Sequence, residues 1–108
     1  MIRSFVCATA LCGFVLGLGA RPVQAQNAPI VLELFTSQGC SSCPPADRVL
    51  EDLAQDASLI PLSLPVDYWD SLGWKDVFAM PAFTQRQKTY AAMKAENQIY
   101  TPQIVIQG

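Results

Sequence analysis

Histidine is absent from all 108 residues. Proton transfer or metal binding through an imidazole is therefore excluded. Cysteine is sparse: of four, Cys7 and Cys12 lie in the N-terminal apolar stretch, and only Cys40 and Cys43 lie beyond it. A zinc site built on that pair would need two further ligands from a segment with no other Cys and no His. Basic residues are few as well. Beyond residue 25 they are Arg48, Lys75, Arg86, Lys88 and Lys94, against nine acids, an acidic balance that makes nucleic acid a poor partner. Internal repeats, low-complexity tracts and interdomain linkers are all lacking.

Long hydrophobic runs are also missing, apart from Phe5 to Ala20. That run is shorter than the ~18 to 20 residues a membrane span needs and is interrupted by Gly13, Gly17 and Gly19. Arg3 precedes it and the small-residue stretch Val23-Gln24-Ala25 follows it. This pattern reads as a secretory signal peptide cleaved after Ala25 rather than as a transmembrane helix. Neither Cys7 nor Cys12 follows the small-residue pattern of a lipoprotein site. Residues 1–25 are thus expected to be a leader and residues 26–108 the folded domain, periplasmic or secreted, with no stable membrane insertion after cleavage. In such an oxidising compartment a disulfide persists. A domain of this size buries only a marginal core, and the chain stops at Gly108 directly after a strand-like run. A domain incomplete at its C-terminus is expected.

The stretch that organises the rest is Gly39-Cys40-Ser41-Ser42-Cys43-Pro44-Pro45. Before it, Ile30-Val31-Leu32-Glu33-Leu34-Phe35-Thr36 is nearly continuous in apolar, β-forming residues, which suits a strand covered on both faces. After it, Ala46, Val49, Leu50, Leu53 and Ala54 make one apolar stripe at helical spacing, on a helix expected to start at Pro44 and end near Asp56. A thiol at a helix N-terminus meets free N–H groups and the positive end of the macrodipole, both of which favour the thiolate. Asp47, Glu51 and Asp52 suit the same dipole but oppose that activation.

Leu59 to Val66 reads as a second strand, placed at an edge or interrupted because Pro61 and Pro65 cannot donate to a ladder. Asp67 to Asp76 is a polar and aromatic loop holding Tyr68, Trp69 and Trp74. Its three aspartates lack the alternate spacing of a calcium loop and suit solvated or capping roles. Pro81 and the run Ala82 to Glu96 read as a second helix, with Phe83 and Tyr90 on its core face and Lys88 and Lys94 in solvent. Tyr100-Thr101-Pro102 then enters a strand at Gln103 to Ile106. Strands alternating with helices predict an α/β layer with a mostly parallel sheet.

Three motifs in this order resemble a known family. Glu33 to Asp47, Val66-Asp67-Tyr68-Trp69-Asp70 with Leu72-Gly73-Trp74-Lys75-Asp76, and Tyr100-Thr101-Pro102-Gln103 look like exported bacterial thioredoxin-like proteins, the domain of unknown function DUF1223. The resemblance covers most of residues 30–108. It implies a thioredoxin-like α/β fold, here lacking the closing strands and terminal helix. It also implies Cys40 as an exposed attacking thiolate and Cys43 as a buried resolving thiol. By the same resemblance Glu33 lies beneath the cysteines and accepts the resolving thiol's proton, against the plainer reading of a carboxylate satisfied by hydrogen bonds. Pro102 after Thr101 is similar to the cis-proline that presents backbone groups to a bound substrate. One departure is Pro65, which stands where the family usually carries histidine.

The residues thus predict a CxxC dithiol working by thiol–disulfide exchange without a bound cofactor. Its substrate would be a protein or small-molecule thiol or disulfide, served by a separate redox partner. Catalytic roles fall to Cys40, Cys43, Glu33 and Pro102. Thr101, Tyr68, Trp69 and Trp74 line the substrate side, where ligands meet the carboxyl ends of strands, or else the aromatics simply cover a small core. A purely structural disulfide is the plainest alternative. It is a weak one, because loop entropy gives about 2 kcal/mol for a four-residue ring against about 3 for fifteen residues. A Cu(I) carrier using the same thiolates and a thioredoxin-like scaffold that only binds a partner are the others.

Overall fold

The structure is a computed structural model that describes residues 19–20 and 27–108; the expected leader over residues 1–25 lies outside them, save Gly19 and Ala20. The elements run β1 (Ile30–Thr36), α1 (Pro44–Leu53), β2 (Leu59–Pro65), a short 3-10 turn at Asp70–Leu72, α2 (Pro81–Met93) and β3 (Gln103–Ile106). They form the expected mixed α/β layer, compatible with an incomplete thioredoxin-like fold.

Three strands make one sheet in the order β2-β1-β3. The longer ladder is parallel, from Ile30 beside Leu59 to Thr36 beside Pro65. The shorter is antiparallel, from Leu32 beside Ile106 to Phe35 beside Gln103. The proline-bearing strand β2 lies at an edge, where a missing N–H costs no ladder bond on its outer side.

Side chains of a strand alternate between faces, so β1 serves two cores. Leu32 and Leu34 meet Leu50 of α1, with Ala46, Leu53 and Leu59 around them. Phe35 meets Leu64, Val66 and Val105 on the other face, covered by Phe83 and Tyr90 of α2 and by Tyr68 and Trp69. The ring edge of Phe35 stands against Tyr90 at 6.2 Å between centroids, a favoured aromatic geometry.

The apolar stripe of α1 is narrower than its spacing predicts. Val49 is 55% exposed, because it overhangs an open groove, while Leu50 faces the sheet. Helix α1 also ends earlier than expected, tightening into three-residue bonds such as Gln55 N–H to the Asp52 carbonyl. Its sister α2 stops at Met93 rather than Glu96. Ala95 there adopts φ 54°, its N–H donates to the Ala92 carbonyl, and the Glu96 N–H donates to the Ala91 carbonyl at 2.9 Å. This is a Schellman closure with alanine in the left-handed position that glycine usually fills. Among the described residues, no helix is long and apolar enough to cross a membrane.

An L side chain in the left-handed region costs roughly 1–2 kcal/mol, part of which a glycine would return to the unfolded chain as entropy. Ala95→Gly is therefore expected to stabilise the protein by about 0.5–1 kcal/mol. A urea unfolding midpoint unchanged or lowered by that substitution would contradict the cap.

Candidate functional site

The cysteine turn continues β1 directly. The Cys40 N–H donates to the Ser37 carbonyl at 3.2 Å, and the Gly39 N–H donates to the Ser37 hydroxyl at 3.0 Å. The Cys43 N–H then returns to the Cys40 carbonyl at 3.2 Å. Cys40 and Cys43 are joined as a disulfide, their Cα atoms 5.4 Å apart. Cys43 is the N-cap of α1, and the Asp47 N–H donates to its carbonyl. Because Pro44 and Pro45 fill the first two helical positions, neither contributes an N–H. Of the first turn's free donors, only that of Ala46 remains.

Cys43 is fully buried, and Cys40 is only 2% exposed. The expectation of an exposed Cys40 is therefore corrected for the disulfide state. The residues just before it are held by the loop that follows β2. Asp76 is buried and its carboxylate accepts from the Gln38 N–H at 3.0 Å and the Phe78 N–H at 2.9 Å. Trp74 Nε1 donates to Gln38 Oε1 at 3.0 Å. A Cβ placed on Gly39 would stand 3.0 Å from Trp69 Cβ, tighter than ordinary contact, so glycine suits this approach. The residues just before Cys40 are thus clasped by the aromatic loop. Asp70 completes the clasp by accepting from the Asp76 N–H at 3.0 Å. These aspartates cap backbone groups, in keeping with the spacing argument.

The segment before β3 meets the same loop. Thr101 and Pro102 are joined by a cis peptide bond, as the resemblance implied. Trp69 Nε1 donates to Thr101 Oγ1 at 2.8 Å. Pro102 and Ile104 form one wall of an apolar groove of about 250 Å³, and Ala46, Val49 and Leu50 form the opposite wall, with Leu34 as its floor. The helix that begins at the disulfide and the cis-proline therefore face each other across this groove. Tyr68 and Trp69 are half-buried and pack on the Phe35 cluster, whereas Trp74 is 64% exposed. The two readings of the aromatics divide between the residues: Tyr68 and Trp69 cover core, and Trp74 presents surface.

Glu33 lies elsewhere. Its side chain points to the α2 face, opposite α1, where Arg86 Nε and the Tyr90 hydroxyl both donate to its carboxylate. The expected position beneath the cysteines is corrected, and the plainer reading of a satisfied buried carboxylate describes the residue. Burial raises its pKa, but the bonds from Arg86 and Tyr90 outweigh that and leave it below the ordinary value of 4.5. A carboxylate so held is a poor proton acceptor. On the thiol-bearing side the acid that does touch the framework is Asp47, which accepts from the Thr36 hydroxyl at 2.7 Å.

Sequence reasoning overlooked Gln38, which the loop grips, and Gln87, a fully buried residue of α2. Gln38 carries no signal of its own. Gln87 stands seven residues after Met80 and four after Phe83 on the helix's core side, a polar residue at apolar spacing. Burial also raises the Tyr68 phenol, against the opposing pull of its bond to Gln87. Among the described residues, no three or more Cys, Asp or Glu side chains gather as a metal-holding group.

A family model described as "Protein of unknown function (DUF1223)" matches residues 31–108. A crystal structure of an Agrobacterium tumefaciens protein is similar, with 48% sequence identity and a TM-score of 0.72. The match covers 78% of this chain and 38% of that one, so the chain spans well under half the length of this relative. No curated protein matches.

The depressed Glu33 carboxyl fixes a direction for acid sensitivity. Its stabilising share is complete above the unfolded value near 4.5 and is lost as pH falls through the lower folded value. Glu33→Gln is expected to destabilise the protein at neutral pH and to flatten its loss of stability below about pH 4.5, read by urea unfolding across that range. An equally steep acid loss in the variant would show that other groups carry it.

Proposed function

The chain belongs to the DUF1223 family, and we propose that it is an exported thiol–disulfide exchange protein whose working group is the Cys40–Cys43 pair. The observation that carries this reading is the disulfide itself, set at the start of α1 and next to a groove walled by α1 and the cis-proline segment. A four-residue ring of this kind adds little to stability, so its placement is better accounted for by chemistry than by bracing.

In the exchange, a substrate thiolate attacks Sγ of Cys40, the less buried of the two sulfurs. The Cys40–Cys43 bond breaks, a mixed disulfide forms, and Cys43 departs as the thiolate. A second substrate thiolate then attacks the substrate sulfur of the mixed disulfide and releases Cys40. The substrate dithiol has been oxidised to a disulfide, the CxxC pair has been reduced, and the two thiol protons pass to water or to the cysteines. The reverse sequence oxidises the pair. Because Cys40 is only 2% exposed, this attack needs the residues around its sulfur to yield. The Cys40 thiolate released in the second step would have beside it the Ser42 hydroxyl, 3.5 Å from its Sγ in the disulfide, and the positive end of the α1 dipole.

The burial of Cys40 favours one second reading. A disulfide that stays closed would hold the turn rigid while the exposed Trp74, Val77 and Phe78 serve as a binding surface, with no exchange at all.

Equilibration of the full chain with dithiothreitol and glutathione buffers separates the two. The exchange reading predicts a reduction potential above about −300 mV, alkylation of reduced Cys40 at neutral pH, and a stable mixed disulfide in Cys43→Ser. A pair that resists reduction until the protein unfolds, or a reduced Cys40 that does not react with iodoacetamide, would overturn it.

A further inference from the structure

Gln87, on the α2 side of the sheet, commits its side-chain amide to three hydrogen bonds. It is completely buried on the sheet-facing side of α2. Its Oε1 accepts from the Tyr68 hydroxyl at 3.0 Å. Its Nε2 donates to the Tyr100 carbonyl at 2.7 Å and to Gln103 Oε1 at 2.9 Å. Both amide hydrogens are thus used. A buried amide left without these partners would cost about 1–3 kcal/mol, so the three bonds hold as a unit.

The partners lie on the two segments that flank the cysteine turn. Tyr68 precedes Trp69, which abuts Gly39. Tyr100 and Gln103 bracket Thr101 and Pro102, and Pro102 is a wall of the groove. The bond from Trp69 to Thr101 ties the two segments to each other on the side nearer the disulfide. A single amide on α2 therefore ties the aromatic loop to the groove wall without a hydrogen bond to either cysteine.

We propose that Gln87 is a positioning residue that fixes the groove wall for a peptide or protein substrate, as distinct from a small thiol. The inference rests on the exchange reading above. A small dithiol needs only the sulfur, whereas a peptide thiol must also seat its neighbouring residues against Pro102 and the apolar wall of α1. Loss of the Gln87 bonds frees that wall while leaving the disulfide and its turn intact.

The test compares two reductants on the full chain: dithiothreitol, and a short peptide carrying a cysteine pair. In Gln87→Met, which keeps volume but none of the three bonds, the peptide KM is expected to rise about tenfold with kcat within about twofold, and the dithiothreitol rate to stay within about twofold. Gln103→Met removes one bond at a half-buried position and is expected to raise the peptide KM by about threefold; it carries the test should Gln87→Met fail to fold. Equal slowing toward both reductants, or no change toward the peptide, overturns the positioning role. A wild-type protein inert to both reductants overturns the exchange reading and this inference with it.

Discussion

The central strand β1 must bury both of its faces, and the rest of the molecule follows from that constraint. Leu32 and Leu34 face α1 while Phe35 faces α2, and one slip of register would exchange the two sets. The parallel ladder to β2 holds the strand along its full length. Its C-terminal end is thereby placed where the next residues must leave the sheet. The turn from Ser37 to Cys43 is that exit, and the sulfurs sit where α1 begins because α1 must return to cover Leu32 and Leu34.

A layer this thin leaves polar groups partly enclosed, and the structure answers by pairing each with a specific partner. Among the described residues, no buried side-chain nitrogen or oxygen is left without one. Asp76 closes on two backbone N–H groups, Glu33 on Arg86 and Tyr90, Thr84 on Asp67 at 2.6 Å, and Gln87 on three groups at once. Such bonds add modestly to stability when made but cost heavily when one partner is lost. They specify the loop's position more than they strengthen the fold. Hydrophobic contact alone would let the loop from Asp67 to Asp76 settle in several ways over Phe35. The clasp on Gln38 selects one of them.

Much of the architecture was legible in the residues. The continuous apolar run of β1, the switch from strand to helical period at Pro44 and the prolines that keep β2 at an edge are local signals, and each of these elements begins where its signal stood. What was not legible depends on contacts between distant residues. The family resemblance put Glu33, on the strand leading into the cysteine turn, beneath the cysteines. Strand alternation sent it to the far face, where Arg86, 53 residues away, claims it. Val49 matched the core stripe by spacing, yet whether a helix position is covered depends on what lies across from it. Thr84 and Gln87 broke the apolar pattern of α2, and their burial is explained only by Asp67, Tyr68 and the segment after Tyr100, none of which helical spacing can announce.

The same distinction bears on the sulfurs. A CxxC at a helix start suggests a thiolate cradled by free N–H groups, but Pro44 and Pro45 remove two of them, and the acid at Asp47 sits in the first turn. What remains at this helix end is the dipole, the free Ala46 N–H of the first turn and the hydroxyl of Ser42 beside Sγ of Cys40. Dipole effects of this kind are worth roughly 0.3–1 kcal/mol when exposed and up to ~2 kcal/mol when partly buried. The burial of Cys40 therefore works in both directions. It restricts access to the sulfur, and by excluding water it raises what the few remaining donors contribute. The helix end is thus only one influence on this sulfur pair; burial is another, and the turn that buries it is anchored by Asp76 through the Gln38 N–H rather than by the cysteines alone.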